Sequence, residues 1–169
     1  SSFATGINDG GDIVGYAVTA ARHVTLVWPA GGATFQELNT DAQNVAYADD
    51  INNAGVIVGS VRPEGFASVP VRWASAYAPM QILNGGGLGR AMAVDGSGAA
   101  AGYFTADDGR HAAVWPAGTS VPVDLGRVRD TAPVNDASAV EGVTAANERG
   151  DLIGTAPIDG TVRAVRFSW

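Results

Sequence analysis

The sequence predicts an all-β domain of four repeated antiparallel units, arranged like the blades of a β-propeller. Three observations carry that expectation. A nine-residue pattern recurs four times without gaps. A Trp follows each copy at a near-constant interval. The copies recur about every 43 residues, room for the four short strands of one propeller blade. A β-prism or another repeat barrel would use the same pattern and is the runner-up architecture.

The bulk numbers agree with a packed β domain. A chain of 169 residues suits one domain with a real core. At 46% hydrophobic and 16% charged, it lacks the high charge and low hydrophobicity of a disordered chain. Its 23 glycines follow no collagen period, so they point to many tight turns between short strands.

The first element of each unit is a turn. The four copies are Ile7-Asn-Asp-Gly-Gly-Asp-Ile-Val-Gly15, Ile51-Asn-Asn-Ala-Gly-Val-Ile-Val-Gly59, Val94-Asp-Gly-Ser-Gly-Ala-Ala-Ala-Gly102 and Ala146-Asn-Glu-Arg-Gly-Asp-Leu-Ile-Gly154. Asn8, Asn52, Asp95 and Asn147 can open a turn by bonding backbone N–H groups ahead of them. Gly11, Gly55, Gly98 and Gly150 fit the left-handed position that closes the hairpin. The return strand follows, and its Gly15, Gly59, Gly102 and Gly154 mark a bulge or a close backbone approach. Trp28, Trp73, Trp115 and Trp169 end a third strand and are expected as core between blades. Leu38, Leu83 and Leu125 lie on a fourth.

Copies therefore run over approximately 4–43, 44–87, 88–137 and 138–169. The last stops before its fourth strand, leaving an edge that proteins usually cover. The expectation is that the chain belongs to a longer protein or completes its sheet by self-association. The turn glycines are spaced 44, 43 and then 52 residues apart. The extra residues fall around Arg127-Val-Arg-Asp-Thr-Ala-Pro-Val-Asn-Asp136. Loops that break a repeat are where binding residues concentrate. Arg127, Arg129 and Asp130 are thus the first candidate contact residues, followed by His23 and His111, which look equivalent in copies one and three.

The Ile-Asn-x-x-Gly-x-Ile-Val-Gly runs, with a His ahead of the Trp, resemble the bacterial extracellular HAF repeats, named for a His-Ala-Phe signature. Arg110-His-Ala-Ala-Val-Trp115 carries the His-Ala part with Ala113 in place of Phe. Arg22-His-Val-Thr-Leu-Val-Trp28 keeps the His with one residue more, and copies two and four have none there. The resemblance spans nearly the whole chain in short, degenerate motifs. It implies an exported, propeller-like repeat protein and transfers no catalytic residue.

Several function classes are disfavoured. Net charge is −7 and all ten basic residues are Arg, so clustered cations for nucleic acid or anionic membranes are not expected. A GC-rich coding bias is the simplest source of the missing lysines. Without Cys there is no disulfide, thiolate zinc site or Cys nucleophile. No apolar run is long enough to span a bilayer as a helix. The chain reads as bacterial and extracellular or surface-bound, with any signal peptide removed.

No motif specifies a cofactor or metal. Gly85-Gly-Gly-Leu-Gly89 is followed by Arg90 where a phosphate cradle needs Gly. There is no G-x-S-x-G. Asp49-Asp50, Asp107-Asp108, Asp9 and Asp12 could serve glycoside hydrolysis or calcium, or simply solvate turns. Arg149-Gly150-Asp151 spells an adhesion tripeptide, but its Gly is already demanded by the repeat. The leading expectation is a non-catalytic binding module for a glycan, polysaccharide or protein. The alternatives are a structural, self-associating segment of a larger surface protein, or a hydrolase or lyase using acidic loop residues.

Overall fold

A computed structural model describes residues 1–20, 22–40, 45–63, 67–83, 87–127, 142–158 and 161–169. The described residues form strands and turns with no helix. The described residues hold fifteen strands in four separate antiparallel sheets, each a meander of consecutive strands. Blade 1 holds β1 (Ser2–Ile7), β2 (Ile13–Val18), β3 (His23–Trp28) and β4 (Gln36–Glu37). Blade 2 holds β5 (Val45–Ile51), β6 (Ile57–Arg62), β7 (Val69–Trp73) and β8 (Met80–Ile82). Blade 3 holds β9 (Gly89–Val94), β10 (Ala100–Ala106), β11 (Gly109–Trp115) and β12 (Val123–Arg127). Blade 4 holds three strands, β13 (Gly142–Ala146), β14 (Leu152–Ile158) and β15 (Thr161–Phe167). These are open sheets, as a propeller-like repeat requires, and not a closed barrel.

Blades stack in sequence order. The first strand of each blade packs on the first two strands of the blade before it: β5 on β1 and β2, β9 on β5 and β6, β13 on β9 and β10. Among the described residues, blade 4 makes no comparable packing with blade 1. The four blades form an arc with two open ends.

Two glycine positions set the blade geometry. Gly11, Gly55, Gly98 and Gly150 have φ between 80° and 88° and close the Asn-x-x-Gly turn, each donating its N–H to the carbonyl of the turn's Asn or Asp at 3.0 Å. The return-strand glycine answers a bulge in the first strand. Register slips between Ala4 and Gly6, between Ala48 and Asp50, and between Val143 and Ala145. In blade 3 the matching slip lies between Ala101 and Gly102 of β10 as it pairs with β9. A Cβ at Gly15, Gly59, Gly102 or Gly154 would lie 1.9–2.0 Å from a first-strand carbonyl oxygen.

Seams between blades are apolar. At the first, Val14, Val27 and Leu38 meet Ala48, Ile51, Ile57, Val71 and Trp73. At the second, Val58 and Leu83 meet Ala91, Ala100, Ala113 and Trp115. At the third, Ala101 and Val114 meet Val143, Leu152 and Phe167. Trp73 Nε1 donates to Asn39 O of the preceding blade at 2.8 Å. Trp115 Nε1 has no partner among the described residues, and Asn84, the counterpart of Asn39, lies outside them.

Register corrects two sequence readings. Ile13 pairs with Trp28, Ile57 with Trp73, Ala100 with Trp115, and Leu152 with Phe167. Phe167 therefore fills the fourth aromatic position. Trp169 lies beyond the strand and is 50% exposed. Trp73 and Trp115 are fully buried, as expected of aromatics between two blades, whereas Trp28 in the end blade is half-buried. The second correction concerns the histidines. His23 pairs with Val18, three residues past Gly15, but His111 pairs with Phe104, two past Gly102. A one-residue difference turns the side chain to the other sheet face, so the two are not equivalent. Arg110 occupies the place of His23.

Candidate functional site

Three clusters of polar or aromatic side chains follow from this geometry. The first lines the inner ends of the blades, where the Asn-x-x-Gly turns meet. Asn8 Nδ2 donates to Asn52 O at 3.2 Å, and Asn52 Nδ2 to Asp95 O at 2.7 Å, so the first two turns each hand a hydrogen bond to the next blade. Asp9 and Asn53 bond reciprocally at 2.8 Å, and Glu148 Oε1 accepts from Asn53 N at 3.0 Å. Asp49 is clasped by Arg90 through Nε at 2.8 Å and Nη2 at 2.5 Å. Burial nevertheless holds the Asp49 carboxyl above its ordinary value, with the Arg90 contact opposing. Asp50 accepts from Val94 N and Ile51 N at 2.9 Å each. Burial raises its pKa too; those N–H groups oppose the rise, and Asp49 and Glu148 add to it. These carboxylates are all engaged in joining blades.

The second cluster is a row of rings at the seam of blades 1 and 2. Phe3 stacks on Tyr16 at 5.0 Å, Tyr16 on His23 at 4.9 Å, and Tyr47 meets His23 edge-on at 4.6 Å and Tyr16 at 5.2 Å. Phe3 and Tyr16 face each other across β1 and β2, and Tyr47 comes from β5. Phe3 is 48% exposed, so the row opens to solvent at that end. Both His23 ring nitrogens are shielded from water and have no hydrogen-bond partner among the described residues, and burial lowers the His23 pKa. The register counterparts of Tyr16 and His23 are Ser60 and Ser68 in blade 2 and Tyr103 and Arg110 in blade 3, where Arg110 lies over the Tyr103 ring at 4.2 Å. Blade seams thus close without a ring cluster.

The third cluster centres on His111 at the outer side of blade 3. Its Nδ1 lies 2.8 Å from Asp124 Oδ2 and its Nε2 3.0 Å from Asp108 Oδ1. A neutral imidazole donates one N–H and can serve only one of the two carboxylates; the cation serves both. The contact joins β11 to β12 and to the β10–β11 turn. Its two ring nitrogens point to separate acids, an arrangement that builds a clip.

The predicted contact residues are scattered. Arg127 ends β12 with its backbone opposite His111, which brings those two positions together. Arg129 and Asp130 lie outside the described residues. His23 sits at the first seam, away from both. Among the described residues no three His, Asp or Glu side chains are placed to share a metal ion. The Arg149-Gly150-Asp151 tripeptide is the fourth axial turn, and its Asp151 carboxylate is held by Asn147 at 2.8 Å and Arg166 at 2.5 Å. Sequence reasoning missed the aromatic row because its members come from four strands of two blades. Tyr16 and Tyr47 stand out only once register is known. Comparisons with protein-family models and with curated proteins find no match.

Proposed function

We propose that this chain is a non-catalytic binding module of an exported protein, and that it holds a neutral glycan on the aromatic row at the first seam. The observation that carries the reading is Phe3–Tyr16–His23–Tyr47: four rings gathered where the fold needs none. Apolar faces of sugar rings stack on aromatic side chains, and flat rings lose little conformational freedom on binding. The net charge of −7 favours neutral over acidic polymers. The engagement of Asp49, Asp50, Asp9 and Glu148 in blade contacts supports a binding role over a hydrolytic one.

The test is electrophoresis through native gels containing soluble starch, xylan or β-glucan, each in turn. The wild-type chain is slowed by at least one polymer, and Phe3→Ala and Tyr47→Ala abolish the slowing without lowering Tm by more than a few degrees. Migration unaffected by every polymer, or retardation that survives both substitutions, refutes the assignment.

A further inference from the structure

The two open ends of the arc carry the two halves of one blade seam, and we infer that blade 4 docks on blade 1 of a second copy of this chain. This inference concerns the ends of the arc and is independent of the ligand reading.

The argument starts at the second seam. Arg72 sits on β7 and is 5% exposed. Its guanidinium crosses to blade 3, where Nη1 donates to Gly98 O at 3.2 Å and Pro116 O at 3.1 Å, and Nη2 to Thr119 O at 2.9 Å. Its Nε and Nη2 also reach Gln81 on β8 at 3.2 and 3.0 Å. The receiving feature is the Trp115-Pro-Ala-Gly118 turn, closed by Thr119 N to Pro116 O with Gly118 at φ 77°, beside the axial turn of Gly98 at φ 86°.

Both halves of this seam occur again, at opposite ends of the chain. Val58 pairs with Arg72 on β6 and β7, and Ile153 pairs with Arg166 on β14 and β15, so Arg166 is the register counterpart of Arg72. Blades 1 and 3 have Val27 and Val114 there. The receiving turn recurs in blade 1 as Trp28-Pro-Ala-Gly31, closed by Gly32 N to Pro29 O with Gly31 at φ 66°, beside Gly11 at φ 88°. Blade 2 lacks it: Trp73 is followed by Ala74 and Ser75. The chain thus alternates, with donor blades 2 and 4 and receiver blades 1 and 3.

Exposure agrees. Val14, Val58 and Ala101 are at most 1% exposed in seams, but their counterpart Ile153 is 56% exposed. Ile51 is 5% exposed against a preceding blade, and its counterpart Ile7 is 65% exposed. Thr5 Oγ1 donates within its blade to Val14 O and onward to Ala48 O of blade 2. Its counterpart Thr144 makes the first bond, to Ile153 O at 3.4 Å, and is placed to make the second with an incoming first strand. Arg166 meanwhile rests on Asp151 through Nη2. A head-to-tail contact of this kind joins different surfaces on the two copies, so it generates either a closed ring or a growing chain.

The experiment is sedimentation equilibrium on the whole chain over a concentration series, with variants that block one end each. The wild type associates, and Arg166→Ala weakens association by about tenfold. Ile153→Glu and Ile7→Glu are each monomeric alone, yet an equal mixture forms a heterodimer through the one intact pair of faces. That recovery also proves both variants folded. A wild type monomeric up to millimolar concentration, self-association unchanged in either Glu variant, or a mixture that stays monomeric each overturns the inference.

Discussion

Replacing Gly59 by Ala tests the relation between the bulge and the return-strand glycine. On an exposed strand such a change is mild, and its effect on the unfolded chain favours folding by about 0.4–1 kcal/mol. Here the added Cβ would sit 1.9 Å from Tyr47 O, 2.9 Å from Tyr47 C and 3.1 Å from Ala48 Cα. Those are backbone atoms and cannot swing aside. To reach ordinary contact at 3.4 Å, β5 must retreat by roughly 1.5 Å. But β5 is wedged: Ala46 and Ala48, on the sheet face that Gly59 shares, are 2% and 0% exposed against blade 1. Overpacking costs about 1–3 kcal/mol, and two weakened ladder bonds add about 1 kcal/mol each. After the unfolded-state gain, the net loss is about 3 kcal/mol, which lowers Tm by roughly 10 °C for a chain of this size. Urea unfolding followed by Trp fluorescence measures it. Gly118→Ala is the contrast, with φ 77° but nothing within 4 Å of its Cβ, and loses only about 1 kcal/mol. A Gly59→Ala protein as stable as the wild type would refute the claim that the carbonyl, and not a turn requirement, selects Gly.

Two further outcomes follow from buried polar groups. His23→Phe keeps the ring stack and removes two nitrogens that have no partner, so stability at neutral pH rises by about 1 kcal/mol. Because burial lowers the His23 pKa, the unfolded chain binds more protons as pH falls below about 6.5; wild-type stability drops there, and the variant loses that slope in urea titrations at pH 7 and 5. Arg72→Met strands the carbonyls of Gly98, Pro116 and Thr119 at the second seam. The loss is about 3 kcal/mol, and hydrogen exchange reports it as faster opening in blades 2 and 3 than in blade 1. Uniform acceleration across the chain contradicts a local seam role.

The turns and blades were legible because each depends on a local backbone demand. A left-handed residue after Asn8, Asn52, Asp95 or Asn147 admits Gly and little else, and the strand glycine answers a carbonyl. What depended on face was misread. Trp169 was matched by residue type, although Phe167 stands 13 residues after Gly154, as Trp28 does after Gly15 and Trp115 after Gly102. His23 lies five residues before its Trp and His111 four, and an odd difference reverses the sheet face. The alternation of Val27, Arg72, Val114 and Arg166 before the aromatic was present in the sequence, but without an acceptor it had no meaning. The aromatic row could not be anticipated, because contact between β2 and β5 is a property of stacking and not of spacing.

The axial bonds have a consequence for how such a chain diversifies. Asn8 and Asn52 each grip a main-chain oxygen of the next blade, and every residue type supplies that oxygen. A blade is therefore admitted by its neighbour on the path of its backbone, largely regardless of which side chains it displays elsewhere. Duplicated units can then drift until only Asn or Asp, Gly and a few apolar positions still agree, as they do here, while each rim acquires its own chemistry: rings on the first, a histidine clip on the third. In lineages built this way, novelty should accumulate at the periphery and resemblance should survive at the hub.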